Sequence, residues 1–234
     1  MPEEESGISI PRTRPAPVSA AVVAFKCLVS AIAPVVTSAF ALAFPLAFAP
    51  VAAAVPASAA GLVDVRTVVP DAVIDLRYAT TDNFVGEQLY PTGSRCLVHE
   101  SMARGLATAA AGLRPDRLVF WDCYRPHEVQ VRMFEIVPDP AWVARPGTAA
   151  RSHEAGRSVD VTIAGADMGT GFDDFSPHSG AYATDGVSPA ARANRARLRE
   201  AMRSGGLSPY AGEWWHFDGP GAGEPRPFLD VPLP

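Results

Sequence analysis

The sequence predicts a single α+β domain behind a separate leading segment, on three observations. Residues 27–60 contain no charged side chain and consist largely of Ala, Val, Leu, Phe and Pro, whereas residues 61–234 carry an ordinary mixture. Within the latter stretch, short runs of alternating polarity intermix with runs at helical spacing. No internal repeat divides it, and its length suits one domain of ordinary size.

Residues 62–78 alternate Val, Ile and Leu with polar side chains and read as extended, with Asp75-Leu76-Arg77-Tyr78 as a strand end. Residues 79–95 hold Asn83, Gly86, Pro91 and Gly93, the composition of an irregular surface segment able to line a site. Residues 99–113 read as a helix, because Met102, Leu106, Ala109, Ala110 and Leu113 recur at helical spacing. Residues 117–122 are aromatic and β-branched, as in a buried strand. Pro126 fixes a φ suited to a first helical position, so a helix is expected from there through Val129, Met133 and Ile136. Arg125 then lies at a strand-to-helix junction, kept out of the α region by the proline after it. Residues 157–163 alternate Val159, Val161 and Ile163 with Ser158, Asp160 and Thr162, which predicts a strand with Asp160 on its polar side. Residues 165–183 form a Gly- and Asp-rich loop, Ser188-Pro189 opens a helix reaching about Met202, and Gly205-Gly206 ends it. A final strand should contain residues 215–217.

The uncharged segment follows Arg12, Arg14 and Lys26 and closes on Ala57-Ser58-Ala59-Ala60, small residues of the kind found at export cleavage sites. Residues 1–60 are therefore read as an export signal cut near Ala59 or Ala60. A retained membrane anchor is the rival, since the apolar run exceeds 18 residues although Pro34, Pro45, Pro50 and Pro56 interrupt it. A cytoplasmic protein with a misassigned start is the third reading. The first two put the domain outside the membrane, touching it at most through an uncleaved N-terminal segment.

Of the three cysteines, Cys27 belongs to the leading segment and Cys96 and Cys123 to the domain. An even pair in an exported domain suggests one disulfide, with two buried thiols as the alternative. A formal net charge of -5 and the lack of a Lys/Arg cluster in the domain argue against nucleic-acid binding. Peptide or small-molecule chemistry is expected instead.

The chemistry concentrates in two segments: Arg151-Ser152-His153-Glu154-Ala155-Gly156-Arg157-Ser158-Val159-Asp160 and Glu213-Trp214-Trp215-His216. Two imidazoles and one carboxylate can hold a zinc ion with its fourth position open to water, and a second carboxylate can serve as base. His153 is expected on a turn and Asp160 in the following strand, with Gly156 bending the backbone between them. Residues three apart in a regular strand face opposite sides, so Glu213 must lie in a turn before the strand or on a bulge. Pro209 and Gly212 favour the turn. Burial by Trp214 and Trp215 would raise the proton affinity of Glu213. His99, His127 and His178 read as ordinary histidines, and no G-x-S-x-G elbow makes Ser152 a nucleophile. Tyr90 and Tyr124 are placed at the cleft, with a core position as the alternative for Tyr124.

Together with Trp121-Asp122-Cys123-Tyr124-Arg125-Pro126 and Asp75-Leu76-Arg77-Tyr78-Ala79-Thr80-Thr81-Asp82-Asn83-Phe84, these segments resemble the VanX-type D-alanyl-D-alanine dipeptidases, in the same order across the domain. The resemblance implies the Hedgehog/D,D-peptidase fold, here a small, mainly antiparallel sheet flanked by helices, over residues 61–234. It implies one zinc ion on His153, Asp160 and His216, Glu213 as general base, and Arg125 as the group that stabilises the oxyanion. It also implies Asp173 as receiver of the substrate's free amino group. Arg151 stands where the family usually has Ser, a residue that helps hold the substrate near its amino end, and Ser158 stands where it has Ala. Arg151 therefore counts among the substrate-binding candidates with Asp173 and Tyr124, and its charge would repel an ammonium. The expected activity is zinc-dependent hydrolysis of D-Ala-D-Ala or a related D-amino-acid dipeptide. A D,D- or L,D-carboxypeptidase trimming peptidoglycan stem peptides is the second reading, favoured by Arg151 and the export signal. A non-catalytic zinc or cell-wall binding module is the third, and the presence of both Glu213 and Arg125 argues against it.

Overall fold

A computed structural model describes residues 56–233. The leading segment lies outside them except for its end, where Ala57–Ala60 form a 3-10 turn. Among the described residues no helix is long and apolar enough to cross a membrane.

The central sheet takes strands in the order β2-β4-β5-β7-β6. These are β2 (Val73–Ile74), β4 (Leu118–Asp122), β5 (Ser158–Ile163), β6 (Ser208–Pro209) and β7 (His216–Asp218). Only β2 and β4 run parallel, so the sheet is mainly antiparallel. A separate two-stranded antiparallel ribbon pairs β1 (Leu62–Asp64) with β3 (Leu97–His99). Every residue of β4 and β5 is buried, because helices and loops cover both faces of the sheet at its centre. The predicted polar side of β5 is therefore buried too, and its polar groups need partners.

Helix α1 (Glu100–Leu113) buries Met102, Leu106, Ala109, Ala110 and Leu113, the stripe read from the sequence. It lies across α3 (Pro189–Ser204) so closely that a Cβ at Gly105 would stand 2.4 Å from the carbonyl oxygen of Gly205. Ser188 caps α3 by accepting from the Ala191 amide, with Pro189 in the first turn. Helix α2 (His127–Ile136) begins one residue later than expected, and Pro126 is its N-cap.

The extended stretch predicted for residues 62–78 is broken. The Asp64 side chain accepts from the Arg66 amide and nucleates a 3-10 turn at Val65–Thr67, so β1 and β2 end up in different sheets. Arg77 and Tyr78, expected at a strand end, lie with Ala79 in a second 3-10 turn that buries Tyr78. The last strand starts at His216 rather than Trp215, and its two-residue partner β6 carries too little sequence to show a period.

Cys96 and Cys123 are joined in a disulfide, with Cα atoms 5.3 Å apart, which ties the start of β3 to the end of β4. The loop of residues 165–183 is organised from inside by Arg195, a buried charge on α3. Its guanidinium donates to the backbone carbonyls of Met168 (2.7 Å), His178 (2.8 Å) and Gly180 (3.1 Å). Replacing Arg195 by Met should leave these carbonyls short of donors and cost about 2–4 kcal/mol of stability. Urea unfolding of the variant is the check; an unchanged midpoint would exclude this role for Arg195.

Candidate active site

The site forms where the ends of β4, β5 and β7 meet the turn before β5. A register shift between Phe120 and Asp122 re-aims the end of β4 and leaves Asp122 fully buried. The Asp122 carboxylate accepts from the Tyr90 hydroxyl (2.7 Å), the Cys123 amide (2.9 Å), and Nε and Nη2 of Arg125 (3.0 and 2.6 Å). Arg125 also donates from Nη1 to the side chain of Gln130 (2.6 Å) and lies over the Tyr78 ring at 5.4 Å. Two of its five N–H groups remain for a ligand in the cleft.

Ser152–Ala155 form a 3-10 turn that ends at Gly156, whose φ of +64° is left-handed. A Cβ there would stand 2.5 Å from the Leu62 side chain, so both conformation and space require glycine. The turn points His153 inward. Its Nδ1 donates to the carbonyl oxygen of Cys123 at 2.8 Å, which leaves Nε2 with a free lone pair. Asp160 on β5 is the direct cross-strand partner of His216 on β7. Nε2 of His153, Nδ1 of His216 and Oδ1 of Asp160 lie 3.0–3.3 Å apart.

Three such atoms this close need shared protons or a cation between them. Ligand bonds of about 2.0–2.2 Å in a tetrahedral arrangement put their atoms roughly 3.3–3.6 Å apart. The spacing, the N/N/O donor set and the engaged Nδ1 of His153 all fit a metal ion such as zinc, and these three residues form the group of potential ligands among the described residues. His99, His127 and His178 stand outside it.

Glu213 sits in the bend before β7, off the strand, with Oε2 3.9 Å from Nδ1 of His216. Trp214 and Trp215 are buried beside it. Burial raises the proton affinity of Glu213, and the Asp160 charge adds to this against the pull of His216. Asp173 adopts a left-handed φ of +54°, which Asp tolerates better than most residues, and accepts from the Tyr78 hydroxyl at 2.8 Å. Burial raises its carboxyl well above the usual range. A cavity of about 430 Å³ joins these groups and is lined by Arg125, Arg151, His153, Asp173, Glu213 and His216 among others. Arg151 stands exposed at its edge, with Nε donating to the Gly223 carbonyl at 3.1 Å.

Tyr124 is the exception among the expected site residues. It is only 2% exposed, packs with Leu62, Leu97 and Val231, and does not line the cavity. Its amide donates to the Leu97 carbonyl, which seats it beside β3, where its ring completes the small apolar cluster with Leu62 and Leu97 instead of entering the cleft. Tyr90 is likewise buried behind Asp122. The tyrosines that do line the cavity are Tyr78 and Tyr210. Asp122, Gln130 and Asp218 also support the site without having been singled out; Asp122 adjoins the quoted Arg125 motif, while nothing local marks Gln130.

Burial lowers the proton affinity of His216, but its hydrogen bonds to Asp160 and Asp218 outweigh this and raise its pKa to about 10 in the metal-free chain. At neutral pH the cluster therefore holds a proton that a metal must displace. Apparent metal affinity should fall as pH drops, by about tenfold per pH unit between about pH 6 and pH 8 for one displaced proton. Competition titrations against a chromophoric chelator measure this; a flat profile would contradict it.

The profile of the peptidase M15 family, described as D-Ala-D-Ala dipeptidase, matches residues 58–234. A D-alanyl-D-alanine dipeptidase of Escherichia coli is 38% identical over 168 residues, covering 69% of this chain and 86% of the relative. Proteins with the same name from Streptomyces coelicolor (30% identical) and Enterococcus faecium (27%) each match 68% of this chain and 91% of their own length. The matched span includes the ligand triad, Glu213 and Arg125, and the chain belongs to the D-Ala-D-Ala dipeptidase family of M15 peptidases.

Proposed function

We propose that this chain is a zinc dipeptidase that hydrolyses D-alanyl-D-alanine or a closely related D-amino-acid dipeptide, and so acts in peptidoglycan metabolism. The observation that carries the reading is the convergence on one cleft of a His153/Asp160/His216 triad, an unligated Glu213 and a free face of Arg125, in a member of this family. Zinc held by the triad would supply a water acidic enough to deprotonate near neutral pH and would polarise the scissile carbonyl.

The chain's own residues supply the rest. Glu213, raised in proton affinity by its buried position, takes the proton from the attacking water and passes it to the leaving amine. Arg125 is held on one side by Asp122 and Gln130, so its two free N–H groups meet the developing oxyanion without reorganisation. Asp173, protonated or poorly solvated alone, becomes a favourable carboxylate when a substrate ammonium pairs with it. Arg151 adds a positive rim on the same cavity. The Cys96–Cys123 bridge supports an exported site of action, because such bonds persist in oxidising compartments.

Full-length protein should hydrolyse D-Ala-D-Ala, lose activity with a chelator and regain it with zinc. A stem pentapeptide assayed in parallel should be left intact; its preferential cleavage would instead favour the carboxypeptidase reading. Bound zinc without hydrolysis of any D-amino-acid peptide would favour a binding module. Glu213→Gln should lower kcat by about 10²–10⁴-fold at unchanged zinc content. Arg125→Lys keeps the charge beside buried Asp122 but loses the fork, and should lower kcat by about 10²-fold with KM little changed.

A further inference from the structure

The metal-facing nitrogen of His216 is selected from behind. A neutral imidazole carries one N–H, and the partner of that hydrogen decides which nitrogen is left to ligate. Nε2 of His216 lies 3.1 Å from Oδ1 of Asp218, which places the hydrogen there and turns the Nδ1 lone pair toward Asp160. Asp218 is itself held: the Ser158 hydroxyl donates to the same Oδ1 at 2.5 Å, and the Ser152 hydroxyl donates to Ser158 at 2.9 Å. Strand register makes this arrangement rigid, because Ser158 faces Asp218 across the β5–β7 ladder just as Asp160 faces His216. Side chains two apart share a face, so the four residues form one rectangular patch. Ser152 reaches it from a left-handed backbone, φ +46°, in the turn that also carries His153. The alanine that the family motif carries at the Ser158 position would leave Asp218 in this chain with His216 but without the serine donor that fixes it from the far side.

We propose that Asp218 is the positioning residue for His216, and that Ser158, backed by Ser152, fixes the Asp218 carboxylate, so that the serine–serine–aspartate series sets the affinity of the metal site. The proposal rests on the reading of His216 as a zinc ligand. It assigns a task to a serine that has no other function in the cleft, and it links the turn bearing His153 to the strand bearing His216 behind the ligands as well as through them.

Zinc affinity of the full chain, measured by chelator competition, tests it without reference to turnover. Asp218→Ala should weaken zinc binding by about 10–100-fold, and Ser158→Ala by roughly tenfold, the lower end of the range for groups that orient metal ligands. The effects should not add: in the Asp218→Ala background, Ser158→Ala should change nothing further. Should Asp218→Ala fail to fold by thermal unfolding of the metal-free protein, Asp218→Asn takes its place in the same cycle. An unchanged affinity in Ser158→Ala, or a tenfold loss that persists in the Asp218 variant, would overturn the proposal while leaving the zinc reading intact. Failure of the parent chain to bind zinc would sink that reading and this one with it.

Discussion

The β5–β7 ladder sets Asp160 against His216 and Ser158 against Asp218, and the geometry of the cleft follows from that register. Because side chains alternate along a strand, a slip of one residue would turn the ligands to the opposite face and bring Val159 or Phe217 into their place. Burial enforces the register. Val159, Val161 and Phe217 fill the core on the other side, and exchanging them with a carboxylate and an imidazole would strand charges in an apolar interior.

A second constraint comes from the short strip after β4. Asp122 gathers the Tyr90 hydroxyl, the Cys123 amide and the Arg125 fork on one buried carboxylate, and the Cys123 carbonyl orients His153. Thus the group proposed for the oxyanion and the tautomer of one proposed metal ligand are set by adjacent residues. The disulfide from Cys123 to Cys96 anchors this strip to β3. Removing Asp122 would leave Arg125 buried and unpaired, a more damaging change than losing an ion pair at the surface.

Electrostatically, the cleft separates carboxylates by their neighbours. Asp160 is buried, yet His153 and His216 hold its proton affinity well below the usual range. Glu213 and Asp173 are buried with weaker compensation and are shifted upward. One functional group thereby takes three different proton affinities within a single cleft, the range that the proposed roles of ligand, base and ammonium partner require. The differences arise from hydrogen bonds and burial rather than from any local sequence feature.

The sequence by itself determined the α+β class, α1, α3, β4 and β5, because these depend on periodicity and on proline and glycine punctuation; through the family resemblance it also singled out His153, Asp160, His216, Glu213 and Arg125 as candidates, which the fold brings to one cleft. It also required Glu213 to leave the strand, a consequence of side-chain alternation that the bend before β7 meets. Tertiary structure alone decided the rest. Strands of two or three residues such as β2 and β6 exist only because a neighbour completes their hydrogen bonds, so no period announces them. The sequence offered Tyr90 and Tyr124 as cleft residues; tertiary packing puts Tyr124 in the cluster with Leu62 and Leu97, while a 3-10 turn carries Tyr78, read from the sequence as a strand end, to Asp173. Asp218 is held by Ser158, 60 residues away, a distance over which only the folded chain brings polar groups into contact, and Gln130 meets Arg125 because the start of α2 turns it toward the end of β4.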